Sequence, residues 1–282
     1  MTARKQRYIK KALATALAAA GLGLAAMPAH AVLEWRVLDA ATGNGFLVCD
    51  NNVACAPIPG YTFLPTGDTN PSPEQITVNV TLINGALGKF TFTAAGANDN
   101  ILTATTLSVI NSTFEVAPGT GAADILAVEA SRDGWLIPLG NPRTLSNGPS
   151  ATMTLTQGSI FSTGYNDPNN GLFGTGGGAF ATPTSAFTAG VPPCSPVNPG
   201  GLSTCSALTQ TSGIVEGNPY SLTNRQTISS PANDGPPAAT DYLVTDASTK
   251  FATPTIPEPT SLLLLGAGLA ALGLGRRRRT NA

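Results

Sequence analysis

Histidine is all but missing from this 282-residue chain, which holds only His30. That residue falls in an opening segment expected to be removed, so the working body has none. Ser-His-Asp, Cys-His and HExxH chemistry each need an imidazole as base or ligand, and are excluded there. Phosphate-binding loops are missing too. Gly88-Lys89-Phe90 lacks the Ser or Thr of a P-loop, and Gly174, Gly176, Gly177 and Gly178 have the wrong spacing for a dinucleotide fingerprint. Charge is scarce, at 11% of residues against about a quarter in ordinary globular chains. Apolar residues still make up 42%, enough to build a core, so disorder driven by charge is not expected.

The charge that exists is unevenly placed. Arg4, Lys5, Arg7, Lys10 and Lys11 precede an alanine-rich apolar segment from Ala12 to Ala26. Pro28 then stands before Ala29-His30-Ala31, a small-x-small cleavage signature in which Ala29 and Ala31 are the small residues. The apolar run is short of the roughly 20 residues of a membrane span. The segment 1–31 therefore reads as a signal helix, with signal peptidase as partner and Val32 as the first mature residue. An uncleaved anchor is the alternative. Between Val32 and Thr255, six basic residues face fifteen acids, a net charge of −9. No basic stripe exists to track phosphates, so nucleic acid is not an expected partner.

Four cysteines suit an exported, oxidising setting. Cys49 and Cys55 lie six apart, Cys194 and Cys205 eleven apart. Four cysteines allow three pairings, and sequence does not choose among them; two local loops are the simplest. Zinc would lack both histidine and CxxC spacing.

The body reads as all-β, a sandwich with long Gly/Pro/Asn-rich loops. Ile76, Val78, Val80 and Leu82 alternate with Thr77, Asn79 and Thr81, the period of a half-buried strand. Asn84-Gly85 then predicts a tight hairpin turn, with Phe90 and Phe92 on the returning strand. Further strands are expected over 34–38, 46–48, 101–110, 113–116, 134–137, 152–156, 214–215 and 242–244, while 124–130 reads as strand or helical turn. Trp35, Phe90, Phe92, Phe114 and Trp135 are the expected core aromatics. The domain reading is signal 1–31, sandwich-like body 32–165, loop-rich β continuation 166–246, flexible stalk 247–255 and tail 256–282.

Candidate chemistry in the body is thin. Paired carboxylates are the one catalytic device left open, since a carboxylate-dependent glycosidase needs only two acids across a cleft, and Asp124, Glu129 and Asp133 lie close in sequence. Ordinary surface acids are the simpler reading, and no cofactor is expected. Asn166–Gly171 and Gly96–Asn100 are the candidates for a structural calcium, though Asn and Asp also serve turns. Asn79-Val80-Thr81 and Asn111-Ser112-Thr113 match a glycosylation acceptor by composition alone. A polysaccharide partner would call on exposed aromatics, for which Tyr61, Phe63, Tyr165 and Tyr220 are candidates.

The tail is more specific. Pro257-Glu258-Pro259 opens it, a Leu/Gly/Ala run follows from Ser261 to Gly275, and Arg276, Arg277, Arg278 and Arg279 close it. As a helix at about 1.5 Å per residue, the run over 261–275 reaches about 22 Å, a short transmembrane helix against a hydrocarbon core of roughly 30 Å. The arginines would stop it on the cytoplasmic side. The two prolines keep the preceding backbone extended and open to a protease. These three parts, in this order, resemble the PEP-CTERM sorting signal of exosortase substrates. The resemblance implies an inner-membrane intermediate with its body in the periplasm, cut near the motif by an exosortase-type protease and passed to the cell surface or outside. It covers the tail only. The expected function is a non-enzymatic surface or extracellular-matrix protein associated with biofilm exopolysaccharide. A carbohydrate-binding module is the alternative.

Overall fold

Short runs of Val, Ile, Leu, Phe and Thr, broken by Gly, Pro and Asn, favour extended backbone with frequent turns. The computed structural model describes residues 32–103, 106–118, 121–135, 143–154, 158–176, 178–197, 202–214, 219–232 and 243–252. Among these residues fifteen strands form: β1 (Leu33–Asp39), β2 (Gly45–Cys49), β3 (Thr62–Phe63), β4 (Gln75–Thr77), β5 (Phe90–Thr103), β6 (Thr106–Pro118), β7 (Asp124–Trp135), β8 (Arg143–Thr154), β9 (Ser159–Asp167), β10 (Phe180–Ala181), β11 (Ser185–Thr188), β12 (Leu202–Ser206), β13 (Thr209–Ile214), β14 (Tyr220–Ser230) and β15 (Leu243–Ala252). One sheet runs β10-β9-β14-β7-β1-β2-β3, with β11 also on β9. The other runs β12-β8-β15-β6-β5-β4, with β13 also on β8. The body is an all-β sandwich. Among the described residues no helix is long and apolar enough to cross a membrane. The signal segment with Ala29 and Ala31, and the tail with Pro257, Glu258, Pro259 and Arg276 to Arg279, lie outside the described residues.

The late strands are central. β14 lies between β9 and β7, and β15 between β8 and β6. The stretch 247–252, expected to begin a flexible stalk, is instead the second half of β15. It is hydrogen-bonded on both sides, with Ala247 fully buried. Its alternating small and apolar residues, Ala247, Thr249 and Phe251, read as a stalk only while their partners are unknown.

Trp35 and Val37 from β1, Phe90 and Phe92 from β5, Leu126 and Val128 from β7, Leu145 and Met153 from β8, and Leu222 and Ile228 from β14 fill the space between the sheets. Trp35 meets Phe92 edge-on, with centroids 6.1 Å apart. Trp135 is buried as expected. Phe114 lies on β6, where its side chain is outside the described set.

The expected hairpin over 76–93 is corrected. β4 stops at Thr77, Val80–Leu82 form a 3-10 turn, and β4 pairs with residues 96–98 of β5. Local side-chain bonds win here. Asn79 Oδ1 accepts from Thr81 N at 3.3 Å, while Asn84 reaches both N and O of Phe92 at 2.8 Å. The loop thereby drops Ile83 and Leu87 fully into the core, burial that a two-residue turn would forgo. The single strand expected over 101–110 is also two: Thr103 pairs with Thr106, so the chain reverses there. The ambiguous 124–130 is strand throughout.

Candidate binding face

Alternation along β1, β7, β14 and β9 sends one residue in two to the outer face of the eight-stranded sheet. Backbone pairing aligns Leu47, Arg36, Glu129, Arg225 and Thr163 in one row across it. Glu129 accepts from the Arg36 guanidinium and, at 3.3 Å, from Arg225 Nε. Its side chain is 3% exposed and that of Arg225 is 39% exposed. Two guanidinium groups thus share one carboxylate, which leaves the row with one surplus positive charge. Arg36 lies under two rings, Tyr61 at 4.8 Å and Phe173 at 3.9 Å from its Cζ. Burial pushes the Tyr61 hydroxyl up, and Arg36 pulls the other way.

Two loops wall this row. The first carries Cys55, Ile58, Tyr61 and Phe63 over Leu47 and Cys49. Cys49 is joined to Cys55, Cα to Cα 6.1 Å, and Cys194 to Cys205, at 4.0 Å. The second loop is held by Phe173 N on Ser131 Oγ at 3.0 Å and by Ser221 Oγ on Gly171 O at 2.6 Å. Beyond the walls the face is open. Ala127, Thr227, Phe161 and Ala186 form the next row, and Ile125, Ser229, Ser159 and Thr188 the one after. Phe161 is 39% and Ile125 47% exposed, among small and hydroxylated neighbours. An exposed ring, threonine hydroxyls and a half-exposed guanidinium together offer one apolar flat surface and several hydrogen-bond groups.

Of the four aromatics expected to meet a ligand, Tyr61, Phe63 and Tyr165 lie on or beside this face, and none is fully exposed. Tyr220 is a correction: it is fully buried, beneath Arg143 at 5.1 Å. Phe161, Arg36 and Arg225 were missed. The spacing of Phe161, Thr163 and Tyr165 in "SIFSTGYND" held the signal, but no strand was expected between 156 and 214.

The remaining candidates are pulled apart. Asp124 faces away from Glu129, being an odd number of residues from it on β7, and accepts from Ala41 N at 3.1 Å. Glu129 and Asp133 share a face, but about 13 Å of strand separates them at ~3.3 Å per residue, beyond the roughly 5–9.5 Å of glycosidase pairs. Gly96–Asn100 lies inside β5 rather than on a loop, and Asp99 is committed to Arg132. Burial raises Asp99 to about 7, with Arg132 opposing. In 166–171, Asp167 Oδ1 accepts from Asn169 N at 2.9 Å and Asn170 Oδ1 from Gly134 N at 2.7 Å, so these groups serve the turn.

The family model of the PEP-CTERM protein-sorting motif matches residues 255–279. The chain carries a PEP-CTERM motif. That motif implies an exported protein that transits the membrane and is processed by an exosortase, a membrane protease. No curated protein matches the chain. Among solved structures, TmCBM61 in complex with beta-1,4-galactotriose is similar over 56% of this chain and 87% of its own, at 8% identity. The TM-score is 0.26.

Proposed function

We propose that this chain is a non-enzymatic protein of the cell surface or extracellular matrix, exported after removal of residues 1–31. The PEP-CTERM tail holds it at the inner membrane, body outside and Arg276–Arg279 in the cytoplasm, until an exosortase-type protease cuts near Pro257-Glu258-Pro259. One observation carries this reading. The last of the described strands ends at Ala252 and the motif begins at residue 255, so a cut at the motif leaves every described strand in place. Replacing Pro257, Glu258 and Pro259 together by Ala should leave the protein in the membrane fraction of its own cells, while the unaltered chain reaches the surface or medium. Equal distribution of the two would overturn the reading.

A second reading gives the body a ligand: extracellular polysaccharide, laid on the open rows beside Arg225. Phe161 favours it, as an exposed ring flanked on its own row by Ala127, Thr227 and Ala186. Sugar faces stack on such rings, and a guanidinium pairs with ring hydroxyls. Affinity electrophoresis of the exported protein in the host's own exopolysaccharide should show retardation. Phe161→Ala or Arg225→Ala should weaken it about tenfold, or about 1.4 kcal/mol. No retardation, or retardation untouched by both changes, would end this reading.

A further inference from the structure

Val32 N donates to Asp133 Oδ1 at 3.1 Å. Glu34 stands beside them on β1, paired in register with Ser131 of β7 and Cys49 of β2. Its carboxylate lies within 4.8 Å of the Cys49 and Cys55 sulfurs, but those are joined to each other and offer no thiolate to a metal. Glu34 is 2% exposed, and its Oε2 has no hydrogen-bond partner. Burial raises Glu34 to about 7, Asp133 adds to the rise, and Arg36 opposes it. Burial raises Asp133 as well, while the bond from Val32 and the charge of Arg132 lower it. The nearby cations are already committed, Arg36 to Glu129 and Arg132 to Asp99 and Glu74. Two crowded acids therefore lack a positive charge of their own, and the backbone nitrogen of Val32 points at one of them.

We propose that this is a binding site for the chain's own α-ammonium group, created when the Ala31–Val32 bond is cut. The proposal rests on the reading that the signal segment is removed at Ala31. Hydrolysis places the hydroxyl of water on the Ala31 carbonyl carbon and leaves the Val32 nitrogen as an amine. That amine takes up the proton shed by the new carboxyl group. One amide N–H becomes three donors and a unit charge, so the contact with Asp133 becomes an ion pair and donors remain for Glu34. A buried carboxylate beside a second, half-buried one is costly without a cation, and supplying one removes that cost. Export thus completes the N-terminal edge of β1, and the uncut chain has a looser one.

The test uses the protein purified after export. Mass spectrometry of its N-terminal peptide gives the first residue, and the rate of acylation of its α-amine is followed against pH. The charged groups on the side of that amine are Glu34 and Arg36 from β1 and Asp133 from β7, while Arg132, the next residue on β7, is turned to Asp99 and Glu74. With both acids ionised the midpoint should lie about one unit above the ordinary α-amino range of about 7.7–8.0. Asp133→Asn should bring it back to that range, and Glu34→Gln should move it the same way by less. Simple shielding would slow the reaction at every pH without moving the midpoint. A Val32 start with an ordinary midpoint overturns the ammonium site alone. A start at another residue overturns the cleavage reading, and the site with it. If Asp133→Asn is not exported, an unmoved midpoint in Glu34→Gln overturns the proposal.

Discussion

Asn224, at the middle of β14, is wholly buried between the two sheets. Its Nδ2 donates to Asn147 Oδ1 and Thr249 Oγ1, both at 3.0 Å, and Asn147 Nδ2 passes on to Ser162 Oγ at 3.1 Å. Residues of β8, β9, β14 and β15 are thus tied across the core by neutral groups, and breaking the tie leaves several of them buried without partners. Asn224→Leu should cost about 1–3 kcal/mol in urea unfolding, since Asn147 and Thr249 lose bonds that water does not replace. A loss below about 0.5 kcal/mol would show the network to be idle. A neutral polar residue such as Asn224 would ordinarily be assigned to an outward face, and here it is not. Alternation tells which residues share a side of a strand. It does not tell whether an asparagine on the inner side has found another asparagine from the opposite sheet.

The hairpin that did not form makes the same point for elements. "ITVNVTLINGALGKFTF" carries correct strand periodicity and a correct turn dipeptide, and Gly85 does take a positive φ of 84°. Yet the strand stops after three residues, because Asn79 and Asn84 bond locally and Ile83 and Leu87 have a core to enter. What fixes the pairing of β4 is a glycine elsewhere. A Cβ on Gly96 would stand 2.6 Å from the carbonyl oxygen of Ile76, too close for any side chain. Gly96→Ala should therefore detach β4 from β5 and destabilise the sandwich by about 1–3 kcal/mol. Faster amide exchange at Ile76 and Thr77 would be the local sign; unchanged exchange there would contradict this account of the pairing. β1, β2 and the inward Trp35, Phe90, Phe92 and Trp135 were legible from alternation alone. The candidate face was not, because it is assembled from four strands distant in sequence and from side chains, Arg36 and Arg225, whose partner Glu129 only the register reveals.

At the scale of the whole molecule, the two ends and the body separate cleanly. The net charge of −9 sits in the body between Val32 and Thr255, and runs of positive charge occur only over residues 4–11 and 276–279. β1 begins one residue after Val32, and β15 ends at Ala252, just before the sorting motif. Such a layout suits a protein cut at both ends during delivery, with both sheets intact afterwards. The C-terminal strands are central rather than peripheral, so a C-terminal cut that took away part of β15 would remove the middle of a sheet and unfold the body. The measurement that tests this most directly is the intact mass of the protein recovered from the surface and medium of its own cells. The account predicts a chain beginning at Val32 and ending within a few residues of Pro257–Pro259, with both disulfides formed. A recovered chain that still carries Arg276–Arg279, or one that ends before Ala252, would contradict it.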